Sequence, residues 1–139
     1  MSEDRFRKLK ALFEDRLTVT GAATARLKND LLETTSLRPT ILQNGSDHAK
    51  EEGDLNQRIE MYELNIVTRD RLQAALFRLF SGSFGRCVSC DEAIGADRLA
   101  VHPVAARCID CQTIEEAVPT IRKPRLAFIQ NFWILKEGM

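Results

Sequence analysis

"CVSCDEAIGADRLAVHPVAARCIDC", residues 87–111, holds all four cysteines of the 139-residue chain. They stand as two C-x-x-C pairs with seventeen residues between them. A tight turn can aim two thiols separated by two residues at one ion, and this paired pattern is the signature of a zinc site. Four thiolates close the tetrahedral sphere of zinc and leave no position for water. The expected role is therefore structural, with Cys87, Cys90, Cys108 and Cys111 as ligands. A redox C-x-x-C needs only one such pair, and the βαβ setting it also needs is not visible here. Iron–sulfur clusters also take four cysteines, but their common spacings differ. Disulfides belong to exported chains, and the opening "MSEDRFRKLK" carries no apolar signal core. A thiol switch is the one competing use of these cysteines that the pattern leaves open. The segment is poor in large apolar residues, so zinc is expected to supply most of its folding energy.

Upstream of the cysteines, "SGSFG" at 81–85 ends a long helical pattern. Leu55, Ile59, Tyr62, Ile66, Arg69, Gln73, Leu76 and Phe80 alternate spacings of four and three, which predicts a coiled-coil seam, with Leu72 able to take over part of it. A helix over 54–80 would be about 40 Å long. Glu60, Glu63, Arg71 and Arg78 read as its solvated side. A second helix is expected over 3–37, where Phe6, Leu9, Phe13 and Leu17 form one apolar stripe. "TVTGAATA" at 18–25 contains poor helix formers and predicts a bend near Gly21. Pro39 predicts an end just before it. Between the two helices lies a polar stretch with Asn44-Gly45, a turn signal. The fold class expected is mainly α: an antiparallel helical hairpin over residues 3–80, with its tip near 40–53, carrying a zinc finger and short helix over 81–118. A strongly apolar tail, 119–139, completes the chain with Phe128, Phe132, Trp133 and Leu135. It is too short to span a bilayer, and packing against the N-terminal helix is the plain reading of it.

Composition narrows the function. Twenty basic and twenty acidic residues give a formal net charge of zero and a pI of about 6.7. General nucleic-acid binders show a basic excess, because counterion release drives their affinity. Acids (Asp91, Glu92, Asp97) lie beside the cysteines, and Phe84 is the one aromatic near enough to stack a base. A nucleic-acid-binding zinc ribbon is thus the second hypothesis. No nucleophile–base constellation, phosphate-cradling glycine loop or open metal position is visible, so the chain does not read as an enzyme.

"FGRCVSCDEAIGADRLAVHPVAARCIDCQ", residues 84–112, closely resembles the DksA/TraR zinc-finger family of bacteria. The matching features are Phe84-Gly85, Ile94-Gly95, Arg98-Leu99, Pro103, Ala106 and Cys108-Ile109-Asp110-Cys111, together with the seventeen-residue gap. The likeness extends back along the hairpin over roughly residues 5–118. The resemblance implies a cytoplasmic, monomeric transcription regulator that binds bacterial RNA polymerase rather than DNA or membrane. It also implies that the arm enters the polymerase secondary channel, its tip directed at the catalytic centre. The family's tip motif Asp-x-x-Asp-x-Ala corresponds here to "NGSDHA": Asn44 replaces the first acid, while Asp47 and Ala49 are kept. Some members act with the alarmone ppGpp and others without it. The positions corresponding to its basic contacts are Arg71, His102 and Gln112. With one sure charge kept, the expectation is weak or absent ppGpp dependence.

Overall fold

The computed structural model describes residues 1–41 and 48–118, and the side chains of these except 35–41, 48, 49 and 51. Four helices follow in order: α1 (Glu3–Ile41), α2 (His48–Ser81), α3 (Ala96–Val101) and α4 (Ile109–Ala117). The β structure among these residues is one isolated antiparallel bridge, Arg86 to Ala93.

α1 and α2, of 39 and 34 residues, extend about 58 and 51 Å at 1.5 Å per residue. They run antiparallel. Phe6 near the start of α1 meets Phe80 near the end of α2, ring centroids 5.7 Å apart. Far along α1, Thr34 accepts a hydrogen bond from Arg58 at 3.5 Å.

No break falls at Gly21, where a bend was expected, and α1 is continuous through it. The threonines that weaken the local propensity turn their hydroxyls back on the helix. Thr18 donates to the Glu14 carbonyl at 3.0 Å and Thr24 to that of Thr20 at 2.7 Å. Thr24 is also buried, and packing of one face outweighs small deficits in propensity. α1 ends at Ile41, two residues past Pro39 rather than before it. A proline so near the terminus removes one bond from a turn that is ending anyway. α2 begins at His48, six residues earlier than periodicity placed it. Glu51, Glu52 and Asp54 lie in its first two turns, where acids favour the positive end of the helix dipole. Of the tip expected over 40–53, residues 40–41 and 48–53 are helical, and 42–47 lie outside the described residues.

The seam of α2 follows the expected register only in part. Leu55, Ile59, Tyr62, Ile66 and Arg69 are all half-buried. Beyond Arg69 the buried face rotates: Leu72, Ala75 and Leu79 are buried, while Gln73 is exposed and Phe80 is 61% exposed. The cause is a change of partners. At this end α2 packs Phe13 of α1 together with Phe84 and Val104 of the cysteine-bearing segment, and its core face turns to meet both. Arg78, expected in solvent, is half-buried and donates to the Val104 carbonyl at 3.1 Å.

The last turn of α2 closes with Gly82 at φ 79 while the Ser83 and Phe84 N–H groups both reach the Arg78 carbonyl at 3.0 Å. This left-handed cap reverses the chain. It delivers Phe84 into the arm core, its ring 6.0 Å from that of Phe13.

Candidate metal centre

Two small devices place the four sulfurs. The first is the turn at 87–91. The Cys87 N–H donates to the Glu92 carbonyl at 2.8 Å, and the Asp91 N–H to the Cys87 carbonyl at 2.9 Å. Asp91 takes the left-handed conformation, φ 59, that closes the turn, one that short polar side chains tolerate. The second device is the start of α4. Cys108 is its N-cap, with extended backbone and a sulfur that accepts from the Cys111 N–H at 3.5 Å. Cys108 and Cys111 thus sit at the positive end of a helix, where a thiolate is favoured. The Val88 N–H donates to the Ala106 carbonyl at 2.9 Å and fastens the two devices together.

The result is a convergent set. All four Sγ atoms lie within 4.8 Å of one another, and Cys90 and Cys108 sulfurs are 3.9 Å apart. Four sulfurs at about 2.3 Å from a tetrahedral zinc would be separated by about 3.8 Å. The donor set therefore fits zinc with little adjustment. The electrostatics point the same way. Desolvation pushes the Cys87 thiol up, but hydrogen bonds from the backbone of Cys108, Cys90 and Ser89 and from the Cys90 side chain bring it down to about 6. The Cys111 thiol is raised, by its hydrogen bonding with Cys108, Cys87 and Cys90, by desolvation and by the Cys108 charge. Without a cation, one thiolate forms at the expense of its neighbours. A divalent ion removes that conflict and lets all four ionise.

Around the sulfurs the finger has little else to hold it. Cys87, Ile94 and Leu99 are its buried apolar residues, with Phe84, Ala105, Cys108 and Cys111 packed against them. Gly85 has φ 83, and a side chain there would meet Leu99 Cδ1 at 3.7 Å. Polar ties complete the unit: Arg98 Nε donates to the Arg107 carbonyl at 3.1 Å, and Arg107 Nε to Ser89 Oγ at 3.3 Å. Periodicity did not show α3, a helix of six residues. Its one local signal is Gly95 followed by Asp97 in the first turn. The roles of Arg78 and Phe84 in joining finger to arm were equally invisible, since each depends on a chain reversal.

The remaining candidate residues are dispersed. Asn44 and Asp47 lie outside the described residues, as does the tail 119–139; Ala49 is in the first turn of α2. Arg71 is exposed and lines a groove of about 310 Å³ with Arg16, Thr20, Thr68 and Val104. His102 is exposed at the end of α3. Gln112 is committed within α4, donating to Glu116 at 2.7 Å. Neither His102 nor Gln112 lines the groove that holds Arg71.

Known proteins share both the finger and the arm. A family model described as the prokaryotic dksA/traR C4-type zinc finger matches residues 82–117. The RNA polymerase-binding transcription factor DksA of Buchnera aphidicola is 33% identical over 109 residues, covering 72% of this chain and 68% of that one. The chain belongs to the DksA family. Its zinc finger is the four-cysteine unit described above, and the ion it holds is structural. The Escherichia coli DksA is 29% identical over 107 residues, with 68% of its length covered. The Haemophilus influenzae DksA is 39% identical over 64 residues, and the chain spans 44% of its length. The fold is shared with the structure of transcription factor DksA2 from Pseudomonas aeruginosa, at TM-score 0.65 and 23% identity, over 84% of this chain and 87% of that one. These relatives are named as transcription factors and not as enzymes.

Proposed function

We propose that this protein is a regulator of transcription that binds bacterial RNA polymerase in its secondary channel, with the arm tip directed at the active centre and no direct contact to DNA. The observation that carries this reading is the pairing of a hairpin arm with a metal-closed finger at its base, in a chain whose relatives are named for binding RNA polymerase. An arm of about 50 Å can place a side chain far from the surface on which the finger rests. The zero net charge suits a protein partner better than nucleic acid. The organisation that follows is an arm over 3–80 as a coiled coil, a finger over 81–118 as the docking base, and a C-terminal apolar tail over 119–139. The protein acts as a cytoplasmic monomer. Asn44, Asp47 and Ala49 form the tip, and Asp47 is the acid that acts there. Arg71 faces the polymerase rim, and with His102 and Gln112 away from its groove, ppGpp adds little.

Asp47 directly precedes α2, so a capping role competes with a functional one. Asparagine and aspartate cap helices about equally well. Asp47→Asn therefore keeps the cap while removing the charge. Polymerase affinity and arm helicity are expected to hold, while the effect on open-complex lifetime at a responsive promoter is abolished. An Asp47→Asn protein that regulates normally would refute the role given to the acid.

A further inference from the structure

Finger and arm meet through a narrow joint. The arm cluster of Phe13, Leu72, Ala75 and Leu79 receives two apolar residues from the finger segment, Phe84 and Val104. Phe84 also packs on the finger's own cluster of Cys87, Ile94 and Leu99, and among the described residues it is the one that serves both. Gly82 and Gly85, both left-handed, bring the chain in to Phe84 and out again toward Cys87. Arg78 holds both passes of the chain. Its carbonyl accepts from the Ser83 and Phe84 N–H groups at 3.0 Å, and its guanidinium donates to the Val104 carbonyl at 3.1 Å. The next residue, Ala105, packs on the finger cluster instead. Beside Val104 the surface opens into the groove of about 310 Å³ that Arg71 lines, so packing stops there.

We propose that this joint fixes the angle between finger and arm, with Phe84 as the positioning residue, so that seating the finger aims the arm tip. The proposal rests on the secondary-channel reading above. Length gives the joint its leverage. α2 has 34 residues and meets the finger at one end, so a tilt of about 10° there carries its other end, about 51 Å away, by about 9 Å. Few contacts set that tilt. A ring wedged between two clusters opposes rotation, because tilting the arm off the finger lifts Phe84 from one of them. That uncovers part of the roughly 150–250 Å² that an aromatic side chain buries. The Arg78 bonds tie positions 83, 84 and 104 to one residue, so sliding the finger along α2 breaks them. Neither of the other organising features supplies this angle. Zinc closes the finger on itself, and the coiled-coil seam aligns α1 with α2.

The test measures the angle directly. The cysteines are reserved for zinc, so spin labels enter through a genetically encoded keto amino acid at Glu60 in mid-arm and Ile114 on α4, both exposed. In the zinc-loaded full-length protein, double electron–electron resonance is expected to give one narrow arm-to-finger distance distribution. Phe84→Ala frees the hinge and should roughly double that width, with zinc stoichiometry and circular dichroism unchanged. Phe84→Leu should restore it. Core polymerase should bind Phe84→Ala within a few-fold of the unaltered protein, while most of the effect on open-complex lifetime is lost. A broad distribution in the unaltered protein overturns the joint, as does one that stays narrow in Phe84→Ala. Should Phe84→Ala shed its zinc, Arg78→Met decides, since it keeps the stem and loses the bond to Val104; an unchanged width there overturns the joint. Regulation that survives a broadened distribution refutes the aiming role. An unaltered protein that does not bind polymerase overturns the secondary-channel reading and the aiming with it, and the distances alone then judge the fixed angle.

Discussion

The arm and the finger solve the problem of folding in opposite ways. The arm has length and periodicity, yet among the described residues its buried apolar ones, Phe13, Leu72, Ala75 and Leu79, gather at one end. Along the rest, half-buried apolar residues and helical hydrogen bonds carry two helices of more than thirty residues. The finger has few buried apolar residues, and its folding energy comes from a metal. Structural zinc contributes on the order of 10–16 kcal/mol in small finger peptides, more than any side-chain contact in the arm. The lesson is one of dependence: one unit is cooperative through chemistry at a point, the other through packing at its base.

The sharpest way to break that comparison is to remove the metal. Cys108→Ser takes away a metal ligand while leaving a hydroxyl that can still cap α4. It is expected to release zinc and unfold residues 82–118, while most far-ultraviolet helical signal persists because α1 and α2 remain. Zinc stoichiometry with circular dichroism checks it. Retention of metal and fold would remove the structural role given to the site. The next effect belongs to the arm. Phe13 is 0% exposed, and Phe13→Ala is expected to cost about 3–5 kcal/mol, seen as a large fall in the arm's unfolding midpoint at unchanged zinc content. A cost below 1 kcal/mol would mean that the arm base is not the centre of arm stability.

The smallest effect sharpens how the two units are joined. Arg78→Ala loses the hydrogen bond to the Val104 carbonyl, expected to cost about 1–2 kcal/mol for a charged but half-exposed donor. Its signature is finer than its size: exchange of finger amides should rise while those of mid-arm residues do not. Equal changes in both would place Arg78 in the arm alone.

The same contrast explains what could be read in advance. The zinc ligands were legible because C-x2-C fixes geometry locally, through turns and a helix start that need no distant partner. The hairpin was legible because Phe6, Leu9, Phe13 and Leu17 repeat at helical spacing. Periodicity failed where a second partner enters. Beyond Arg69 the finger packs on α2, so Leu79 is buried where Phe80 was expected, while Leu72 takes the place of Gln73 as the weak seam allowed. It also failed at Gly21, where packing of one face, buried Thr24 included, outweighs the weak local propensity. The start of α2 was misplaced because the polar run before Leu55 resembles a loop, although its acids favour a helix N-terminus.

The central claim is that this arm enters the secondary channel of RNA polymerase. The most direct measurement is equilibrium binding of the labelled, zinc-loaded protein to bacterial core polymerase, in competition with a factor known to occupy that channel. Saturable binding displaced by the competitor is the predicted result. Absence of binding at micromolar protein, or binding that the competitor leaves untouched, would contradict it.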